Sequence, residues 1–208
     1  MSTSQIKLPK SKTLLVGVLA IIVVVAVIVI ASSGGNTKKA SASQLIVRGV
    51  AAERKGNLKL AAADYNRAIA KSPKNSLAYY DLGTVYVAKK LDSMAVREFR
   101  KSVKLDSKFT RAWFNLAVLE SKSSYTRAMS DYRSLLKVDR GYAQADFNLG
   151  LLLIQHNSRA AGLINLNLAV TMDKKLLSNV PAALKPYVHA SASKSVKKTT
   201  KKHHKKKK

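Results

Sequence analysis

Apolar and polar residues in the middle of the chain follow a pattern that returns about every 34 positions. The stretch 77–86 recurs at 111–120 and again at 144–153. Aligned on Tyr79, Trp113 and Asp146, the copies lie 34 and then 33 positions apart. Each copy carries its apolar residues at helical spacing, and this period is typical of stacked helix pairs. The pattern therefore predicts a helical repeat array.

A weaker copy precedes these three. Leu45, Arg48, Gly49 and Ala52 occupy the places that Tyr79, Leu82, Gly83 and Tyr86 hold in the next copy. We therefore predict four repeats, each made of a helix A and a helix B, at about 43–73, 76–107, 110–140 and 143–174.

The second helix of each repeat has its own recurring residues. They are Ala61, Tyr65, Ala68 and Pro73 in the first repeat, Ala95, Phe99 and Ser102 in the second, Ala128, Tyr132 and Leu135 in the third, and Gly162, Leu166 and Ala169 in the fourth. Together with the aromatic–Leu–Gly–Tyr pattern of helix A, these residues resemble the tetratricopeptide repeat family over residues 43–175. Only the first repeat keeps the Pro, the third is one residue shorter in its inner turn, and the fourth is degenerate.

The repeated residue types also have a physical explanation. Glycine at Gly83 and Gly150 lets helices A and B approach closely, and the small alanines of helix B face them. The rings of Tyr65, Phe99 and Tyr132 are predicted to fill the joints between repeats. One helix pair cannot bury its apolar face, whereas stacked pairs share a continuous core.

The family resemblance implies a groove lined by the A helices. The implied groove residues are Ile46, Val50, Tyr80, Asp81, Thr84, Arg111, Phe114, Asn115, Val118, Phe147, Asn148 and Leu151. Aromatic rings beside amide groups suit a peptide or helix from a protein partner. The alternative, given equal weight, is that the rings pack against neighbouring helices.

An uninterrupted apolar run precedes the repeats. Residues 14–31 contain no charged side chain, and 18 helical residues extend about 27 Å, close to the thickness of a bilayer core. We predict an uncleaved transmembrane helix; the alternative is a cleaved signal peptide, whose apolar run is usually shorter. Lys7, Lys10 and Lys12 before the run favour a cytoplasmic N-terminus and repeats outside the cytoplasm.

Basic residues are distributed unevenly. Residues 48–175 hold 23 basic and all 11 acidic residues, and the other 15 basic residues lie in the two tails. The last fifteen residues carry nine lysines and no acid, which predicts a disordered tail that attracts polyanions. Those lysines are Lys194, Lys197, Lys198, Lys201, Lys202, Lys205, Lys206, Lys207 and Lys208.

The predicted fold is all-α, with a transmembrane helix, a four-repeat α-solenoid and a Lys-rich tail. The segments are a basic tail at 1–13, the transmembrane helix at 14–31, a flexible linker at 32–42, the repeats at 43–175, a capping helix at 176–189 and the disordered tail at 190–208.

No catalytic or metal-binding pattern stands out in the sequence. The chain has no cysteine, and its four histidines include two neighbours in the basic tail and two isolated residues, His156 and His189. We therefore expect no enzyme, no cofactor and no metal.

The sequence predicts a membrane-anchored adaptor that binds protein partners in the groove. The alternatives are a surface protein that binds anionic lipids or polymers through the Lys tail, and a cytoplasmic membrane-tethered nucleic-acid binder. We do not expect nucleic acid as the main partner, because the tail lacks arginine and aromatic residues that read or stack on bases.

Overall fold

The computed structural model describes residues 40–189, and its helices belong to one compact unit that begins at Ser41. Eight α-helices in this range follow one another in four pairs. They are α1 Ala42–Arg54, α2 Leu58–Lys71, α3 Ser76–Ala88, α4 Asp92–Leu105, α5 Thr110–Glu120, α6 Tyr125–Val138, α7 Ala143–Gln155 and α8 Arg159–Met172. The predicted all-α repeat architecture is confirmed: these pairs form an α-solenoid.

Several predicted segments lie outside the described residues. These are the basic tail 1–13, the transmembrane helix 14–31, most of the linker 32–42 and the Lys-rich tail 190–208. Within residues 40–189, no helix is both long enough and apolar enough to cross a bilayer.

Polar caps set the start of three helices. Ser41 forms a capping box with Gln44, in which each side chain binds the backbone N–H of the other residue. The side-chain oxygens of Asn57 and Asn75 accept the backbone N–H groups of Leu60 and Ala78 at 3.0 and 3.2 Å. These bonds satisfy N–H groups that have no partner within the helix.

The turn between helices A and B has the same form in three repeats. Gly56, Lys90 and Asn157 each occupy the left-handed region, with φ of 73°, 59° and 62°. The third repeat differs, because α5 has 11 residues where α1, α3 and α7 have 13. The missing residue was predicted in the inner turn, but the structure shortens helix A and lengthens the turn instead.

Helices A and B approach each other closely at a glycine of helix A, which has no Cβ. A Cβ on Gly83 would lie 2.6 Å from the Phe99 ring, and one on Gly150 would lie 2.8 Å from the backbone oxygen of Gly162. Gly49 stands in the same relation to Tyr65. We call these three contacts the glycine joints. They hold each helix pair at a separation that a larger residue would increase.

Four large side chains from the B helices fill the interior at the repeat period. Tyr65, Phe99, Tyr132 and Leu166 are each no more than 2% exposed. They join apolar clusters that run along the solenoid from α1 to α8. Trp113 packs against both the first and the second cluster, and α7 contributes residues to the second and the third, so the clusters follow one another along the stacked repeats.

Buried carboxylates on the B helices follow the same period. Asp64 and Glu98 lie 34 positions apart and are 0% and 3% exposed. Arg48 and Arg67 each approach Asp64 to 3.5 Å, and Glu98 likewise has basic partners. Glu120, which ends the A helix α5, is also buried at 1% exposed and lies between Arg100 and Arg127. These pairs give buried charges the partners they need.

Two 3₁₀ helices close the last repeat where one capping helix was predicted at 176–189. They are Lys174–Asn179 and Ala182–Tyr187. Leu176, Val180, Leu184 and Val188 are buried against Phe147 and the α8 side chains. The segment remains in short turns because Pro181 and Pro186 lack the N–H that a continuous helix needs.

We expect Gly150→Ala to lower the free energy of unfolding by about 1–3 kcal/mol, because the added methyl meets backbone that cannot rotate away. Urea unfolding followed by circular dichroism measures the change. Gly141→Ala is the matched control, since a Cβ there meets only the Asp139 carboxylate at 3.4 Å. Equal stability of the two variants would contradict the proposed role of the glycine joint.

Candidate functional site

The A helices α1, α3, α5 and α7 carry the twelve residues predicted to line the groove. Eleven of them are partly or fully exposed, and we call these eleven the A-helix face: Ile46, Val50, Tyr80, Asp81, Thr84, Arg111, Phe114, Asn115, Val118, Asn148 and Leu151. Phe147 is the exception. It is 4% exposed and packs with Leu166 and Val170 in the core, so a ligand on this face does not reach its ring.

Tyr80, Arg111 and Asn115 meet in the middle of the A-helix face. Asn115 Nδ2 donates to the Tyr80 hydroxyl at 3.4 Å, and the Arg111 guanidinium lies 5.5 Å from the Tyr80 ring centre. Tyr80 also packs on Phe99 and Phe109, with ring centres 5.6 and 4.8 Å apart. The ring is therefore fixed by packing, while the polar groups around it remain at the surface.

Phe114 occupies the corresponding place one repeat later. Its ring contacts Tyr132 edge-on at 6.3 Å and Tyr142 at 5.4 Å. Tyr80 and Phe114 thus pack on neighbouring helices, as one interpretation predicted, and they also remain partly exposed, as contact with a ligand would need.

A cleft of mixed polarity lies between the third and fourth repeats. It has a volume of about 260 Å³ and is lined by Val118, Leu151, Leu152, Ser121, Tyr132, Asn148 and Gln155. Asn148 Nδ2 donates to the Tyr132 hydroxyl at 3.2 Å. Burial raises the pKa of Tyr132 to about 12, and the bond from Asn148 works against that rise. The hydroxyl is therefore protonated at neutral pH and orients the amide at the edge of the cleft.

An apolar surface lies at the other end of the face. Ile46 and Val50 line a shallow depression of about 450 Å³ together with Val47, Ala51, Arg54 and Lys55 on the same helix. Eight of the predicted residues therefore fall into three groups rather than one uniform row. The groups are Tyr80, Arg111 and Asn115; Val118, Asn148 and Leu151; and Ile46 and Val50.

Carboxylates occupy the face between α1 and α3. Glu53 accepts a hydrogen bond from the Tyr65 hydroxyl at 3.0 Å, and the Thr84 hydroxyl, which donates to the Asp81 backbone oxygen at 2.7 Å, lies 3.4 Å from its other carboxylate oxygen. Burial raises the pKa of the nearby Asp81 to about 6; the charge of Glu53 adds to this rise, and the charge of Arg111 opposes it. Two acidic groups are thus held close together at this end of the face.

The sequence analysis missed several residues that shape the site. Glu53 has no acidic counterpart in the other repeats, so the repeat pattern gave no signal for it. Phe109 and Tyr142 were detectable, because they stand 33 positions apart, each immediately before an A helix. Their rings support Tyr80 and Phe114 from the following repeat.

Metal chemistry has no visible basis in the described part of the chain. Residues 40–189 contain no group of three or more potential metal ligands. His156 is stacked on Tyr125 with ring centres 3.9 Å apart. The nine lysines predicted to bind polyanions, Lys194 to Lys208, lie outside the described residues.

Two family models match the chain, and both describe repeats. The TPR repeat model matches residues 54–90, and the tetratricopeptide repeat model matches residues 77–109. The predicted tetratricopeptide repeats are therefore confirmed in this region. Neither matching family is a catalytic one. A search of curated protein sequences finds no match.

Solved structures with the same fold include MamA proteins. One MamA crystal structure aligns with a TM-score of 0.62 and 18% identity, covering 66% of this chain and 75% of that one. MamA from Desulfovibrio magneticus RS-1 aligns with a TM-score of 0.59 and 14% identity, covering 66% and 78%. A tetratricopeptide repeat protein from Parabacteroides merdae gives 0.60 and 22%, covering 64% and 54%. At these identities the likeness shows the fold alone.

Asp81→Asn should stabilise the protein at pH 8 but not at pH 4. Asn is the residue found at the equivalent positions of the later repeats, Asn115 and Asn148. The carboxyl has a pKa of about 6 when folded against an ordinary value of 3.8, so folding favours its protonated form. Stability is consequently lost as the pH rises from about 4 through 6. Because the group is partly exposed, we expect a gain of about 1 kcal/mol.

Urea unfolding at the two pH values measures this difference. Asp106→Asn is the control, since that exposed side chain accepts the Lys108 N–H through an oxygen that Asn retains. A gain of equal size at pH 4 and pH 8 would show that the Asp81 charge is not its cause.

Proposed function

We propose that the protein is a membrane-anchored adaptor whose A-helix face binds a peptide or helix of a protein partner. The arrangement that carries the proposal is the cleft in which the apolar side chains of Val118 and Leu151 lie beside the oriented amide of Asn148. Such a cleft takes an apolar side chain, while an amide binds the partner's backbone.

The amides of this face retain unused hydrogen-bonding capacity. Asn115 and Asn148 each donate one bond to a tyrosine hydroxyl, and within residues 40–189 their side-chain oxygens accept none. Each amide therefore keeps an acceptor for a backbone N–H of the partner. Because the tyrosines hold the amides in place, less conformational entropy is lost when a partner binds.

The acidic end of the face favours a basic side chain on the partner. Three buried carboxylates elsewhere in the described region, Asp64, Glu98 and Glu120, have arginine or lysine partners, whereas the buried Asp146 has none there. Glu53 and Asp81 form no salt bridge within residues 40–189, although this region is rich in cations. A lysine or arginine from the partner would supply the missing countercharge.

Membrane anchoring is part of the proposal and is supported by the sequence. The 18 apolar residues at 14–31 have the length of a transmembrane helix, and lysines precede them. We propose that the repeats lie outside the cytoplasm. Anchoring would raise the local concentration of the adaptor at the membrane where its partner is found.

Binding at this face is expected to depend on the cleft at Val118 and Leu151. A photo-crosslinking amino acid in place of Leu151 should form a discrete adduct with the partner in cells. Val118→Glu should reduce that adduct roughly tenfold or more, because partner binding would bury an unpaired carboxylate in the cleft. Yield is measured on a denaturing gel after affinity purification of the full chain.

Ser130→Glu is the matched control, because Ser130 is an exposed residue of a B helix. It should leave the Leu151 adduct unchanged, with equal helicity for both variants by circular dichroism.

Deleting residues 194–208 separates the adaptor from the polyanion-binding alternative. An adaptor keeps its Leu151 adduct without the tail. If the deletion abolishes both the adduct and the salt-dependent binding to anionic polymers or lipids, the result favours the polyanion-binding protein.

The orientation proposal is tested in intact cells. Added protease should remove the Lys-rich tail without lysis, because lysines at 194–208 offer many cleavage sites and the proposal places them outside the cytoplasm. Lysed membranes provide the control for full digestion. Protection until lysis would reverse the orientation and favour a cytoplasmic scaffold that contacts nucleic acid. Release of the protein from membranes by alkaline carbonate would instead favour a cleaved signal peptide.

A further inference from the structure

The last helix of the solenoid carries an apolar stripe on its outer side. Ile164, Leu168 and Met172 follow one another at four-residue spacing and are 68%, 40% and 37% exposed. Residues four apart lie on one side of a helix, so these side chains form a row along α8. Ile164 is the most exposed of the three, whereas Leu168 and Met172 are each already more than half covered.

Earlier repeats do not carry this stripe. The positions equivalent to Ile164 are Ala63, Arg97 and Ser130, and those equivalent to Leu168 are Arg67, Lys101 and Ser134. Five of these six residues are polar or charged, as a solvated helix face requires. The position of Met172 differs, because it is Lys71, Leu105 and Val138 in the earlier repeats, and both Leu105 and Val138 are 42% exposed. Large exposed apolar residues at the Ile164 and Leu168 positions together are therefore a property of the fourth repeat.

The C-terminal cap borders the stripe without burying it. Asn167 donates to the backbone oxygen of Tyr187 at 3.1 Å and accepts the N–H of His189 at 2.6 Å. Tyr187 is 53% exposed, with the Arg159 guanidinium 4.8 Å from its ring centre. An exposed aromatic ring and a cation thus stand beside the aliphatic row.

Basic residues gather at the same end of the solenoid. An open cleft of about 640 Å³ is lined by Lys174, Lys175, Leu177, Ser178, Lys185 and Val188. Asp173 is the last acidic residue of the chain, and the nine lysines of the tail follow the cap directly. Lys174, Lys175 and Lys185 therefore accompany exposed apolar side chains at the C-terminal end of the described residues.

From this combination we infer that the outer side of α8 and the cap dock on an anionic lipid surface. Aliphatic and aromatic side chains enter the interface between headgroups and acyl chains, and lysines bind the headgroup phosphates. Nucleic acid would use the lysines but not the aliphatic row. A second copy of the chain docking on the same surface would bring two basic ends together, and their like charges would repel each other. This inference does not depend on the A-helix face, which belongs to other helices.

The absence of cysteine in the chain makes a direct test possible. Leu168→Cys in the full-length protein is labelled with an environment-sensitive fluorophore and reconstituted into phosphatidylcholine vesicles, with or without about 30% phosphatidylglycerol. Leu105→Cys is the matched control, because Leu105 is 42% exposed and Leu168 is 40% exposed. Quenching by nitroxides attached to the lipid chains reports insertion of the labelled position.

We expect at least about threefold stronger quenching at position 168 than at position 105 in the anionic vesicles, since insertion reaches only the outer part of the bilayer. About 0.5 M NaCl should reduce the difference by screening the lysines. Replacing Lys174, Lys175 and Lys185 together with Gln should reduce it as well. Ile164→Gln on the labelled background should have the same effect through lost apolar contact, with helicity confirmed by circular dichroism.

Three outcomes would overturn the inference. One is equal quenching at the two positions, and a second is quenching at 168 that does not depend on lipid charge. The third is a change of emission that follows protein concentration in vesicles without anionic lipid, which would assign the stripe to a contact between copies of the chain.

Discussion

The close approach of helices A and B at the glycine joints is the constraint on which the solenoid depends. At Gly49 and Gly83 the ring of the B helix occupies the space a Cβ would need, and Gly150 faces Gly162 directly. These contacts fix the separation of each pair, and the buried B-helix residues then join one pair to the next. The A helices are consequently held in register, so that side chains from different repeats, such as Tyr80 and Asn115, form one surface.

Charge is organised around that framework. The sequence carries a net charge of +27, yet its buried carboxylates are not spread at random. Asp64 and Glu98 recur at the repeat period and form salt bridges with arginine or lysine side chains of the same repeat, which neutralises those cations locally. Glu53 and Asp81 are arranged differently: the hydroxyls of Tyr65 and Thr84 lie against Glu53, and the Arg111 charge acts on Asp81 without forming a salt bridge. The A-helix face therefore carries negative charge at one end of a strongly basic protein.

Sequence reasoning predicted what the repeat period encodes. It found the helix pairs, the glycine joints and the residues that fill them, because those residues recur at 34 and 33 positions. It could not predict Glu53, which occurs in one repeat only. It placed Phe147 on the groove because Tyr80 and Phe114 precede it at the repeat period, but in the last repeat the cap provides an apolar surface that buries this ring. The shortened α5 was missed because the sequence shows that a residue is lost but not which element loses it.

These differences between repeats indicate where function is to be sought. Residues that recur in all four repeats maintain the solenoid and cannot distinguish one face of it from another. Specific properties arise from positions that break the period: Glu53 near the first joint, and Ile164 and Leu168 where other repeats carry mainly polar side chains. The first lies with the A-helix face and the others with a B helix, so partner binding and lipid contact would use different surfaces. One protein can then engage both at once, which is what an adaptor held at a membrane requires.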